Sequence, residues 1–594
     1  MNILTALLLR HGVTTAVVCP GARNAPIVHD LHAAGIDCHA VTDERSAGFY
    51  ALGLSLAKKT ADDTCGNGAP VAVCVTSGTA LLNLAPAIAE AHFRQCPLIV
   101  ISADRPLERT GQLDAQTMPQ QNALGCFVAM SVNLPEDNTA FANRLVNEAL
   151  LRAVQRPSQP VHINVPLSEP LFRFTTPTLP EVRMIRRLAN EDHADAVCDE
   201  IIGRICRAER PMVVVGQLNK SAHVGEFRRA AASHVTVLYE PLSCPWGGLP
   251  FDDALAAMTD QAAYMPDFCL YVGGMVVSKC LKAFLRDAPG AETWMVAHDG
   301  TVHDTFMNLT ALADTSVEAV LGGLAQRMDA QFGDRLTADA RAFKTLWNKA
   351  LETAPALTAE QTTRSSEDVT ANNSLTTLTA EQTTRPSKDV TANNSLTAPT
   401  AEQTTRSSED VTANNSLTAP EFSAEGAVRL FEEMMSDDRD SHVHYANSTA
   451  VRLACRYTKR HIQVNRGVNG IEGSLSTAAG YSLCQETKTF CVIGDLSFFY
   501  DSNALWNTEI DGRLRILLLN NGGGAIFRTL PGLAQSTVCD RFVVARHTTS
   551  AEGICAAHRI TYLRATAPPS LRSALNRLIT TDSPRPLLVE VMLE

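Results

Sequence analysis

The sequence predicts an α/β protein of three doubly wound parallel-sheet domains. Short apolar runs, each ending at Gly, Pro or a polar residue, alternate with helix-forming stretches, the rhythm of strand and crossover helix. That rhythm starts three times along the chain, giving blocks at 1–178, 190–345 and 421–594. The 594 residues, 45% of them hydrophobic, are enough to fill three cores.

In the first block the N-terminal stretch reads as a helix ending at Gly12, since it lacks the basic region of a signal peptide. Strands are expected at 16–19, 71–75, 98–102 and 161–165, the last closed by Pro166. Ser46 to Ala57 reads as a buried helix, with Gly48, Ala51 and Gly53 leaving room for another helix to pack closely. In the second block strands are expected at 211–216, 268–273 and 293–297, without the G-x-G-x-x-G that a dinucleotide site needs. Between the second and third blocks, at 350–420, a low-complexity unit beginning at Thr358 recurs from Thr379 and Thr400 with a period of 21 residues. Each unit has little but Leu, Val and a few Ala to bury. That cannot offset about 1–2 kcal/mol of backbone entropy per residue, so a disordered linker is expected.

The third block carries the densest chemistry. The apolar run 490–493 stops at Gly494-Asp495, and the run 515–519 stops at Asn520-Asn521, with a helix expected over 504–510. A right-handed crossover brings the C-terminal ends of both strands to one edge of the sheet. Asp495 and Asn521, 26 residues apart, then face one crevice. With a nearby main-chain carbonyl they offer hard oxygen donors suited to Mg²⁺ completed by phosphates and water. The glycines at 522–524 let backbone approach a phosphate. Far away, Thr42-Asp43-Glu44-Arg45 places a lone carboxylate at a helix start. Glu44 reads either as a residue satisfying free helix amides or as a buried proton-exchanging acid.

The bulk properties exclude other classes. A net charge of −12 disfavours a general nucleic-acid or anionic-membrane role. Sixteen cysteines without a C-x-x-C pair or ligand cluster read as small buried hydrophobes of a reducing, cytoplasmic compartment. No apolar run is long enough to cross a bilayer.

Several motifs occur in order: residues 19–26, 42–46, 76–79 and 102–106, Asn447-Ser448 with Arg452, and the stretch 465–479. Together they resemble the 2-succinyl-5-enolpyruvyl-6-hydroxy-3-cyclohexene-1-carboxylate synthase family of thiamine diphosphate enzymes. The resemblance spans all three blocks and excludes the repeat. It implies the three-domain thiamine diphosphate enzyme fold, with a pyrimidine-binding first block, a Rossmann-like middle block and a diphosphate- and metal-binding third block. It implies thiamine diphosphate and Mg²⁺ (or Mn²⁺) as cofactors, and decarboxylation of 2-oxoglutarate followed by addition of the succinic-semialdehyde carbanion to isochorismate, in menaquinone biosynthesis. It also implies a homodimer or homotetramer whose sites lie between subunits.

Residue by residue, the resemblance assigns Glu44 to the aminopyrimidine nitrogen. Asn447, Ser448, Gly470, Ile471, Asp495 and Asn521 are assigned to the cofactor, with Ile471 the wedge that bends it. Asp495, Asn521 and Gly523 are the metal ligands. Arg23, Arg105, Gln116, Lys279, Ser448, Arg452 and Arg466 are assigned to the substrates, since planar guanidinium suits carboxylates. Ile526, Phe527 and Leu530 form the apolar wall. The chain departs from the family at Ala22, where Ser is common, and at Asn24, where Ser or Thr is common, so weaker binding is expected there. An acetohydroxyacid-type enzyme is the nearest rival, but the FAD fingerprint usual on its middle domain is missing. Intact Glu44, Asp495 and Asn521 argue against a non-catalytic scaffold.

Overall fold

Six short strands of the first block, β1 (Thr15–Val18), β2 (Asp37–Ala40), β3 (Val71–Val75), β4 (Leu98–Asp104), β5 (Met130–Asn133) and β6 (Val161–Pro166), form one sheet in the order β2-β1-β3-β4-β6-β5. All its pairings are parallel. The computed structural model describes residues 2–58, 68–155, 157–172, 174, 178–185, 194–218, 222–243, 251–288, 290–297, 303–332, 335–361, 422–530 and 532–593. The expected linker from 362 on lies outside the described residues. Strand order reverses between β1 and β3. The crevice at such a switch point is where open α/β sheets bind ligands, and the motifs at 19–26 and 76–79 begin there.

The second sheet holds β7 (Pro211–Val215), β8 (Thr236–Tyr239), β9 (Phe268–Val272), β10 (Glu292–Val296) and β11 (Leu309–Ala313), ordered β11-β10-β9-β7-β8. Its last helix, Ala338–Gln361, buries Phe343, Trp347 and Leu351 and runs into the stretch read as linker. The third sheet holds β12 (His442–Tyr445), β13 (Thr489–Gly494), β14 (Leu514–Asn520), β15 (Thr561–Ala565) and β16 (Leu587–Met592), ordered β12-β13-β14-β16-β15. Both sheets are parallel throughout.

Every expected strand is present within two residues of its expected ends. Three strands, β2, β11 and β15, lie at sheet edges with half-exposed residues and so lack an apolar run. The helix expected over 504–510 is a correction. The helix after β13 is Asp495–Tyr500, followed by a 3₁₀ turn at Ser502–Leu505. Carbonyls further on go to a side chain instead of a helix: Arg585 donates to those of Asn507, Thr508 and Ile510.

The small residues of the helix Glu44–Ala57 do what their spacing suggests. Gly53 lies against the helix Ser474–Leu483 of the third block, and a Cβ there would sit 2.1 Å from the Thr477 carbonyl oxygen. Gly480 answers from the other helix, where a Cβ would lie 2.3 Å from the Tyr50 carbonyl. First and third blocks thus share one core, in which Phe49, Tyr50 and Leu54 pack with Leu475, Ala478 and Ala479. The obstacles are backbone atoms, which cannot rotate away. Gly53→Ala is therefore expected to destabilise the chain by at least the ~1–3 kcal/mol of ordinary overpacking. An unchanged thermal unfolding midpoint would contradict this packing.

Candidate active site

The clamp is built by two neighbouring strands. β13 and β14 pair in parallel from Thr489↔Leu514 to Gly494↔Leu519, so the residues that follow them emerge side by side. Asp495 is buried, and its Oδ1 accepts from the Leu496 amide at 2.7 Å. Its Oδ2 accepts from the amides of Asn521 at 3.1 Å and Gly523 at 2.9 Å, and His547 Nε2 lies 3.4 Å from the same oxygen. Gly523 has φ +145°, which a side chain would strain, and its added Cβ would meet the Val544 carbonyl at 2.6 Å.

The Asn521 amide tests whether a cation fits. Its side-chain oxygen points at two other acceptors, 2.5 Å from the Gly523 carbonyl oxygen and 3.2 Å from Asp495 Oδ2. Oxygens so close repel unless a proton or cation lies among them. Turning the amide over gives hydrogen bonds to both oxygens; in the other orientation the three oxygens are hard donors of the kind a divalent cation takes. Among the described residues no group of three His, Cys, Asp or Glu could hold a metal; carboxylate, amide and carbonyl oxygens are the donor types that suit a hard cation.

A second cluster adjoins in the same block. Asn447 is buried and donates to the carbonyls of Asn465 and Gly470, both at 2.7 Å, while its oxygen accepts from Arg466 Nη1 at 3.2 Å. Ser448, at φ +72°, precedes the helix Thr449–Tyr457, on which Arg452 is exposed. Ile471 is exposed beside Gly470. Arg466 is half-buried, and burial holds its pKa below the usual guanidinium value, with Glu240 acting the other way. Phe527 and Leu530 present exposed apolar surface on or next to the 3₁₀ turn Ala525–Thr529, with Ile526 half-buried just before them. Lys279 is exposed at the start of the helix Lys279–Arg286, which Ser278 caps. It lies four residues past Met275, whose sulfur accepts from Arg466.

The first block holds a separate group. Asp43, not Glu44, caps the helix Glu44–Ala57, accepting from the amides of Arg45 at 2.8 Å and Ser46 at 3.2 Å. That removes the capping role considered for Glu44. Glu44 is half-buried, not buried as expected; among the described residues Asn83 donates to it at 3.4 Å. Beside it a cavity of about 490 Å³ is lined by Cys19, Gly21, Asn24, Val41 and Thr42. Arg23 is buried with its guanidinium already engaged, by the Leu167 carbonyl at 2.8 Å and Glu169 at 3.0 Å. Arg105 Nε donates to the Ala115 carbonyl at 2.9 Å. Gln116, exposed and at φ +56°, lies over Gly78. No hydrogen bond or ion pair among the described residues joins Glu44 to Asp495, Asn521 or Gly523.

Three residues that sequence reasoning passed over hold this framework. Glu90, pushed up by burial, accepts from the amides of Gly467 at 2.8 Å and Val468 at 2.7 Å and so fixes the loop after Arg466. Its signal was a lone carboxylate in the apolar helix Ala85–Phe93. Gln120 links the Gly78 amide, at 2.6 Å, to the Ala103 carbonyl, at 3.0 Å. Glu240 is the third. Neither of these two carries a signal in its local sequence.

The blocks that carry the Glu44 carboxylate and the strand-end oxygens each match a thiamine pyrophosphate-binding family model, which makes the chain a thiamine diphosphate enzyme. Residues 1–124 match the family model described as the thiamine pyrophosphate enzyme N-terminal TPP binding domain, and residues 446–591 the corresponding C-terminal TPP binding domain. The chain belongs to the 2-succinyl-5-enolpyruvyl-6-hydroxy-3-cyclohexene-1-carboxylate synthase family. Synthases of that name from Phocaeicola vulgatus and Bacteroides thetaiotaomicron are each 38% identical, over 99% of this chain and 94% of theirs. One from Bacteroides fragilis is 39% identical over 93% of this chain and 88% of its own. The solved benzoylformate decarboxylase of Polynucleobacter necessarius shares the fold at a TM-score of 0.65 and 14% identity, covering 100% of this chain and 98% of its own.

Proposed function

We propose that the protein decarboxylates 2-oxoglutarate and joins the resulting succinic-semialdehyde unit to isochorismate, giving 2-succinyl-5-enolpyruvyl-6-hydroxy-3-cyclohexene-1-carboxylate and CO₂ for menaquinone biosynthesis. The observation that carries this is the convergence of Asp495, Asn521 and the Gly523 carbonyl at the ends of β13 and β14, in a chain 38% identical to synthases of that name. When bound, thiamine diphosphate supplies the electron sink for breaking one carbon–carbon bond and forming another.

Asp495, Asn521 and Gly523 would hold Mg²⁺ or Mn²⁺ together with the cofactor's diphosphate. Asn447, Ser448 and Gly470 line the cofactor's path, and Ile471 supports it from the apolar side. Glu44 exchanges a proton with the aminopyrimidine nitrogen. Arg105, Gln116, Lys279, Ser448, Arg452 and Arg466 receive the substrates, each of which carries two carboxylates. Ile526, Phe527 and Leu530 exclude water from the reacting carbon. Arg23, engaged by Leu167 and Glu169, turns to substrate only by exchanging those bonds.

Glu44 lies half-exposed with no bond to the clamp of its own chain. A second copy completes the site, so the enzyme is a homodimer or homotetramer. It acts in the cytoplasm. The described cysteines form no disulfide, and no helix of the described residues is long and apolar enough to cross a membrane.

The test is incubation with thiamine diphosphate, Mg²⁺, isochorismate and either 2-oxoglutarate or pyruvate, reading CO₂ release and product mass. Pyruvate lacks the second carboxylate. An unpaired buried charge costs about 2–5 kcal/mol, so kcat/KM for pyruvate is expected to fall by at least about 30-fold. Equal use of both donors overturns the assignment in favour of an acetohydroxyacid-type reaction.

A further inference from the structure

Glu240 follows β8 at the C-terminal edge of the second sheet and is 2% exposed. The Val277 amide donates to both its oxygens, at 2.7 and 2.8 Å, and the Ser278 amide to Oε1 at 2.9 Å. Burial pushes its pKa up to about 7, against the pull of these amides. A fully desolvated carboxylate is costly to keep, so its place needs a reason.

The segment it grips, 273–278, joins β9 to the helix Lys279–Arg286 and reaches into the third block. Met275 Sδ accepts from Arg466 Nη2 at 3.6 Å and Asn469 Nδ2 at 3.2 Å. The Met275 carbonyl accepts from the Gln217 amide at 3.2 Å, and Gln217 Nε2 donates to the Val464 carbonyl at 3.2 Å. Ser278 Oγ caps the Leu281 amide at 2.8 Å and bonds Asp252. One face of the segment therefore meets the Arg466 loop, and the other is held by Glu240. Lys279 is the next residue after the pair of amides that Glu240 binds. The charges of Glu240 and Arg466 also act on one another across this junction.

We propose that Glu240 is a positioning residue, holding the 273–278 segment so that Lys279 and Arg466 meet the same substrate. The proposal rests on the reading of Lys279 and Arg466 as substrate cations. Glu240 itself touches no substrate. Its two carboxylate oxygens keep two amides aligned, so that Lys279 enters the crevice at a set distance from the Arg466 guanidinium.

The test uses the full-length enzyme with thiamine diphosphate and Mg²⁺, measuring KM for 2-oxoglutarate and isochorismate, kcat and cofactor affinity. Glu240→Ala is expected to raise one substrate KM by about 10-fold, since small displacements in a binding site carry large penalties. Cofactor affinity and kcat should stay within about 2-fold, because the clamp lies on another sheet. Glu240→Gln, whose Oε1 can accept from both amides but whose Nε2 sets a donor against the Val277 amide, should recover part of the loss. Lys279→Ala should raise the same KM, and the double variant should be no worse than the more affected single, as for residues acting as a unit. A parent-like KM in folded Glu240→Ala while Lys279→Ala is impaired overturns the proposal alone. A parent-like KM in Lys279→Ala overturns the substrate reading and the proposal with it. Multiplicative losses in the double variant also overturn it. If the alanine variant does not fold, Glu240→Asp withdraws the carboxylate by one methylene, and a parent-like KM there is equally decisive.

Discussion

Replacing Glu44 with glutamine is expected to remove most turnover while leaving fold and cofactor affinity nearly intact. The fold should hold because Asp43 already satisfies the helix amides, so Glu44 contributes no cap. Its one side-chain partner in the chain, Asn83 at 3.4 Å, can be met equally well by an amide oxygen. Cofactor affinity should hold because the donors proposed for the diphosphate and metal lie on another sheet. What glutamine cannot do is exchange a proton, and a general acid–base group typically contributes roughly 10²–10⁴-fold. Steady-state turnover set beside a thiamine diphosphate binding titration separates the two quantities. Near-parent turnover would sink the role given to Glu44.

Asp495→Ala is expected to abolish metal-dependent cofactor binding, and it should also weaken the fold. The side chain serves two purposes at once. It accepts from three backbone amides, Leu496, Asn521 and Gly523, and it supplies the only carboxylate among the three clamp donors. Leaving a buried donor unpaired costs about 1–3 kcal/mol, so the cofactor-free variant should unfold at a lower temperature than the parent. Chelating the divalent cation from the parent separates the effects: binding should be lost with the cofactor-free stability unchanged. If Asp495→Ala binds thiamine diphosphate in Mg²⁺ as tightly as the parent, the clamp is misassigned. Mixing this variant with Glu44→Gln gives a further reading of the same pair. If a second copy completes each site, hybrid assemblies regain activity that neither variant has alone.

Much of this was legible along the chain because it depends on neighbours in sequence. Strands buried on both faces show as unbroken apolar runs, and so 71–75 and 161–165 could be placed almost to the residue. The clamp was legible because a strand–helix–strand crossover has one favoured hand, which puts Asp495 and Asn521 at the same edge without any knowledge of the rest of the fold. The small residues at 48, 51 and 53 announced a close helix neighbour, since only absent side-chain volume permits such an approach.

Other features depended on contacts distant in sequence. Carbonyls at 507, 508 and 510 went to Arg585, some 75 to 78 residues away, and no local pattern could show that the expected helix would lose them. The capping role passed to Asp43 and left Glu44 half-exposed, a choice between adjacent carboxylates that backbone angles make, not composition. Glu90 secures a loop 377 residues further on, and Glu240 a turn 37 residues on from a different strand. The sequence by itself determined three parallel sheets, the family, and the meeting of Asp495 and Asn521 at one sheet edge, all carried by periodicity, handed crossovers and short motifs. Only the tertiary structure decided which buried carboxylates hold the site in shape, because a buried charge is tolerated only where distant amides converge on it.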